Sequence, residues 1–227
     1  MKRLILAMLV ITIGAGLYAQ DNFFASKAGM VLTYANYDAK GSTESHTVMT
    51  IKDVKGSGKN MTVTYVSSSL DKNRKAIKDS QDITLQVVVK NGVAIMDMNQ
   101  VIPAEMKAQG VKIDVSGIPV EYPSDLKAGQ TLKPSEINMA MDLGIMKVNT
   151  VAKTVGKCLT IENVKVPAGT YKCHKISQTI TTTAMGINTV ATCVTWLAPG
   201  IGTVKSETYD DKNKLTSSFA LVELKGK

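Results

Sequence analysis

Apolar and polar side chains alternate along most of this chain with a period of two, the pattern of half-buried strands rather than helices. Between Met61 and Ser69, the positions Met61, Val63, Tyr65 and Ser67 fall on one face. Between Glu44 and Val54, Val48, Thr50 and Lys52 oppose Met49, Ile51 and, less clearly, Asp53. Gly29–Tyr37 is a first strand, and Lys40-Gly41-Ser42 and the stretch from Lys55 to Asn60 are turns. Ser68–Gln81 is polar, charged and Pro-free, and reads as a long exposed hairpin end. Ile83–Lys90 and Val93–Met98 flank Asn91-Gly92, the dipeptide best suited to a two-residue hairpin turn. Glu136–Asp142, Met146–Lys153, Gly156–Val166 and Leu215–Leu224 are further strands, the last following a turn at Asp210–Asn213.

Two stretches depart from this period. Pro103 to Gln109 places Pro at a first helical position, then Ala, Glu, Met and Lys, and Gly110 follows. That predicts one short helix. Val111 to Gln130 carries Gly117, Pro119, Pro123 and Gly129 and reads as a loop within the domain. It lacks the Gly/Ser or charged run of a linker.

The most organised stretch runs from Val164 to Glu207. Pro167-Ala168-Gly169 is a turn, Tyr171–Thr183 a Thr- and Ile-rich strand, and Met185–Asn188 a reversal. Thr189–Leu197 returns with Val190, Val194 and Trp196 on one face. Ala198-Pro199-Gly200-Ile201-Gly202 then breaks the ladder, because Pro donates no hydrogen bond and the glycines accept a sharp bend. A third strand continues to about Tyr209. Roughly ten to twelve closely spaced strands call for a sandwich or barrel.

The turn segment Val166–Cys173, the corner segment Trp196–Glu207 and the middle segment Tyr122–Leu132 resemble the TapB-like family of exported Gram-negative proteins of unknown function. The resemblance spans roughly Gly29 to Leu224. It implies a curved antiparallel sheet, a half-open barrel like that of lipoprotein-localisation factors, and no established activity. The expected fold is therefore all-β: a curved antiparallel sheet, half-open barrel or sandwich, with one short helix.

Residues 1–20 read as a signal peptide. Lys2 and Arg3 precede an apolar run from Leu4 to Leu17, and Ala19 ends it with a small residue. The run is short for a membrane span, and no Cys follows closely to carry a lipid. Residues 21–227 then form a single β domain, exported to the periplasm or the cell exterior. Without Lys2 and Arg3 the formal charge falls from +8 to +6. Arg74 is the one Arg that remains, and the lysines are scattered, so the charge reads as a solvated face rather than a nucleic-acid site.

Catalytic signatures are missing from the sequence. Gly56-Ser57-Gly58-Lys59 lacks the spacing and the following helix of a phosphate loop. His46 and His174 sit in strands without metal-ligand spacing, so neither a metal nor a cofactor is expected. Three cysteines in an exported chain suggest one disulfide and one remaining thiol. Cys158 and Cys173 flank the Pro167–Gly169 turn and are the candidate pair; the other two pairings, and three reduced thiols, stay open.

Methionine is the unusual component, with ten after residue 20. Met96 and Met98, and likewise Met139 and Met141, stand two apart, so each pair shares a strand face. Thioethers adapt to irregular apolar shapes and also suit Cu(I). Core packing, an apolar groove and copper carriage compete for them. Together these features point to a non-enzymatic envelope protein whose concave sheet face takes a lipid or a partner's hydrophobic segment through Met96, Met98, Met139 and Met141. The alternative is a secreted interaction or structural module that acts through its surface or a sheet edge.

Overall fold

The computed structural model describes residues 23–25, 27–58, 60–78, 80–90, 93–96, 112–123, 125–142 and 147–226. Its strands are β1 (Val31–Asp38), β2 (Thr43–Ser57), β3 (Asn60–Asp71), β4 (Ile83–Lys90), β5 (Val93–Met96) and β6 (Lys112–Ile118). They continue with β7 (Ser135–Asp142), β8 (Lys147–Val166), β9 (Gly169–Ala184), β10 (Ile187–Ala198), β11 (Gly202–Tyr209) and β12 (Leu215–Lys225). All twelve join one sheet in the order β5-β4-β3-β2-β1-β12-β11-β10-β9-β8-β7-β6. The pairings are antiparallel, and the margins β5 and β6 do not pair, so the sheet is not closed. No helix occurs among the described residues. The expected helix at Pro103–Gln109, the expected signal peptide and Met98 lie outside them.

Two expectations are corrected. Lys112–Ile118 is a strand, not part of a loop, and it pairs with β7 from Lys112↔Asp142 to Ile118↔Glu136. Gly117 had argued for a turn. It occupies the strand because its φ of 120° brings the backbone against β7, where a Cβ would strike the Glu136 carbonyl. Second, Met146–Lys153 and Gly156–Val166 are one strand of 20 residues. Gly156 does not break it; the missing side chain makes room for Gln178 and Leu132.

The sheet bends sharply. In strand order β9 lies three strands from β12, about 14 Å away in a flat sheet. Yet Ala168, in the β8–β9 turn, donates from its backbone N–H to the Leu221 carbonyl of β12 at 3.3 Å. The β10–β11 corner produces part of this bend. Ile201 N–H donates to the Ala198 carbonyl at 3.2 Å, with Pro199 and Gly200 (φ 72°) between them, the geometry of a type II turn. Gly202 (φ 94°) then backs onto the Phe23–Ala25 segment. Extra residues in β2, β8, β11 and β12 shift the register and add local twist.

Two apolar clusters fill the fold. The larger joins Leu32, Tyr34, Ile51, Val63, Tyr65, Leu85 and Val87 to Leu221, Val204 and Trp196, and the β8–β9 hairpin tip adds Val166 and Cys173. The smaller gathers Phe23, Tyr122, Leu126 and Leu132 over Cys158, Ile176 and Leu197. The segment that carries Tyr122, Leu126 and Leu132 is pinned to β8: Gly129 N–H donates to Cys158 O at 2.7 Å and Leu132 N–H to Gly156 O at 2.8 Å.

Candidate functional site

Beyond the smaller cluster, β6 to β10 carry an apolar face that neither cluster claims. Val115, Met139, Thr150, Ala184 and Ile187 stand opposite one another in a single row. Met141 and Val148 form a parallel row, and Gly117, Ile137, Ala152, Thr182 and Thr189 another. Directly opposed residues share a face, and the ladders are unbroken here. On β9 the face continues two residues at a time into Ile180, Gln178 and Ile176. Ile137, Met139, Met141 and Val148 are half-buried, and Ile187, at the outer end, is 68 % exposed. The sequence built this region from Thr and Ala as much as from large side chains. β-branched threonines favour a strand without filling the space above it.

The inner end of the face is polar and buried. Gln178 is 1 % exposed, and the Tyr122 hydroxyl donates to its Oε1 at 2.7 Å. Its Nε2 has no hydrogen-bond partner among the described residues. Next to it on β10, opposite Gln178, lies Cys193. Its thiol sits 3.4 Å from Thr195 Oγ1 and 3.3 Å from Ser206 Oγ, and those two hydroxyls are 3.2 Å apart. These three groups satisfy one another, whereas the Gln178 amide is met only on its oxygen side. Alternation alone could have flagged Gln178, since it falls at an inward position between Ile176 and Ile180. Nothing in the sequence marked Tyr122 as its partner.

The expected site residues are not assembled as one group. Met139 and Met141 do share the apolar face on β7. Met96 stands in the margin strand β5, opposite Val87, at the other end of the strand order. Cys158 and Cys173 are not brought together. Cys158 opposes Ile176 and Cys173 opposes Glu162, and Ile176 and Cys173 lie on opposite faces of β9. The register shift after Cys158 turns it to the face opposite Cys173, and three positions still separate the two along β9. All three cysteines are free and buried. Burial raises the Cys158 thiol, and burial with the Glu162 charge pushes Cys173 up to about 12, so both are held as thiols.

The histidines are also packed. His46 Nδ1 lies 3.1 Å from the Asp71 carbonyl. His174 stands edge-on to Phe23, and its Nδ1 is buried without a partner among the described residues. Burial lowers its pKa, against a backbone hydrogen bond at Leu126. Among the described residues no three His, Cys, Asp or Glu side chains gather as a metal site, and no helix is long and apolar enough to cross a membrane. On the opposite face, Trp196 donates from Nε1 to Glu162 at 2.8 Å, with Lys175 and Lys205 over its ring at 5.0 and 4.8 Å. Each lysine also pairs with a carboxylate, Glu162 or Glu207. Such pairing is that of a structural brace.

Comparison places this architecture among known ones. The model of the DUF3108-like family matches residues 27–221. No curated protein matches the chain. Two solved structures share the fold. One is a presumed exported protein with a YmcC-like fold from Bacteroides fragilis, with a TM-score of 0.67 and 20 % identity over 92 % of this chain and 100 % of that one. The other is a presumed lipoprotein from Parabacteroides distasonis, with a TM-score of 0.69 and 20 % identity over 92 % and 100 % of the two chains.

Proposed function

We propose that this chain, which belongs to the DUF3108-like family, is a non-enzymatic cell-envelope protein that binds an apolar ligand on the β6–β10 face. One observation carries the reading: half-buried Ile137, Met139, Met141 and Val148 form a continuous apolar surface that neither core cluster uses. The adaptable thioethers of this face support the lipid-binding reading. The signal peptide at residues 1–20 and a single domain from 21 to 227 complete the proposal, as does the TapB-like, lipoprotein-localisation resemblance of the turn and corner segments. The sharing of a fold with presumed exported and lipoprotein chains supports an exported site of action.

The test is native mass spectrometry of protein purified without detergent, followed by Nile red titration. A co-purifying lipid, and probe binding abolished in Met139→Asp with Met141→Asp while the β-sheet circular dichroism persists, is the expected result. Loss of the sheet signal in that variant would assign the methionines to packing instead. Ile118 favours a second reading, an interaction module that acts through a sheet edge. It is 60 % exposed on the margin strand β6. Ile118→Lys would then weaken a partner complex without affecting Nile red.

A further inference from the structure

The unmet amide of Gln178 assigns a polarity to the ligand. We infer that the β6–β10 face takes an amphiphile whose head presents a carbonyl or carboxylate oxygen to Gln178 Nε2, with its chain running outward to half-buried Thr182, Ile137 and Met139. This rests on the proposed apolar binding and goes beyond it by naming which end of the ligand lies where.

The amide is fixed rather than adrift. Tyr122 holds its oxygen at 2.7 Å, and Gly156 opposite leaves room for its stem, since a Cβ there would lie 2.8 Å from Gln178 Cγ. With the oxygen taken by a hydroxyl donor, the nitrogen carries the unused donors. A buried N–H without an acceptor is unfavourable, and the neighbouring Cys193, Thr195 and Ser206 are already paired with one another. An acceptor is therefore the missing chemistry, and a second donor or a cation is not. Outward of Gln178 the face stays buried at Ile180 and Thr154 and is half-buried only from Ile137, Met139 and Thr182 on, so the head enters from that outer side beneath the cover, the inner side being closed by the loop that carries Tyr122 and Leu132. Two sources present such an oxygen on a long chain: a free fatty acid and an ester-linked acyl group.

The experiment compares palmitate, monopalmitoylglycerol and diphenylhexatriene, a hydrocarbon probe without an oxygen acceptor, on the full mature protein and on Gln178→Met. Methionine keeps the length and apolar stem and removes both donors. The ratio of palmitoyl-ligand to diphenylhexatriene affinity is expected to fall about tenfold or more. An unchanged ratio overturns the inference. So does wild-type protein that binds diphenylhexatriene but neither palmitoyl compound, which leaves the apolar reading standing. Binding of none of the three overturns both. Should Gln178→Met fail to fold, the ratio is read in Tyr122→Phe, which frees the amide to turn away: a fall supports the head-group contact and no change refutes it. Preference for palmitate identifies a free fatty acid, and preference for the glycerol ester an acylated one.

Discussion

The β2–β4 face and the β6–β8 face belong to one sheet and are filled in opposite ways. On the first, Ile51, Val63, Tyr65, Leu85 and Val87 are all buried against partners from across the bend. On the second, Ile137, Met139 and Met141 stay half-buried beside Thr182 and Ala152. Both regions pair strand to strand along their ladders, the first with one register shift at Ile51/Asp53. The difference shows that pairing builds the sheet, while side-chain volume decides which part becomes core and which part is left for something else.

Truncation should separate the two regions most strongly. Leu85→Ala removes a side chain that is 2 % exposed and is expected to cost about 3 kcal/mol in denaturant unfolding. Met139→Ala, half open, should cost less than about 1 kcal/mol. Equal losses would mean that the distal face is core after all. The corner that folds one region toward the other comes next. Gly200→Val and Gly202→Val force a branched side chain into positive φ and should each cost about 1–3 kcal/mol. A variant that kept its stability but lost ligand binding would make the corner functional.

Amide exchange offers a finer contrast. The β3 and β4 amides should exchange only through global opening, and those of β6 and β7 through cheaper local opening. Added palmitate should slow the second set alone. The smallest effect concerns the Trp196 brace. Burial pushes the Glu207 carboxyl up, but hydrogen bonds from Lys205 and Tyr209 outweigh it and hold the group below its usual range. Its contribution is full above the unfolded carboxylate value and is lost as pH falls through the lower folded value. The hydrogen bond to Glu207, then burial and the Glu207 charge, raise Tyr209 to about 12. That contribution is full below the unfolded phenol value and is lost as pH rises through about 12. Removing the Tyr209 hydroxyl in Tyr209→Phe should flatten the stability profile at both ends by about 1 kcal/mol or less, read by Trp196 fluorescence.

Much of the sheet was legible because alternation is a local property. Met61, Val63 and Tyr65 were placed on one face by period alone, and all three are buried. The blurred position at Asp53 was itself a signal, since the ladder shifts register between Ile51 and Asp53. The corner at Pro199-Gly200 was readable because turn chemistry needs few residues. What failed was whatever depended on a partner strand. Gly117 and Gly156 looked like breaks until Glu136 and Gln178 came to lie against them. The cysteine pair was judged from one short turn, whereas the register sets Cys158 against Ile176, three positions from Cys173, and an extra residue in β8 turns it to the other face. The Tyr122–Gln178 contact spans 56 positions and leaves no local trace.

The strand order has a consequence for the time course of folding. Every pairing joins consecutive strands except one, β1 with β12, where Val31 meets Lys225. Ten of the eleven seams therefore join sequence neighbours, eight across short turns and two across the longer connections 72–82 and 119–134. The last brings together strands from the two ends of the described chain, and it lies in the middle of the finished sheet, with Leu32 and Leu221 in the larger cluster. A chain of this design is nearly all local in its early steps and commits late, at a single long-range joint. Joining β12 to β1 with a short linker and opening the chain between β5 and β6 would turn that joint into one more hairpin. The permuted protein should reach the same sheet faster, with its slowest folding phase removed.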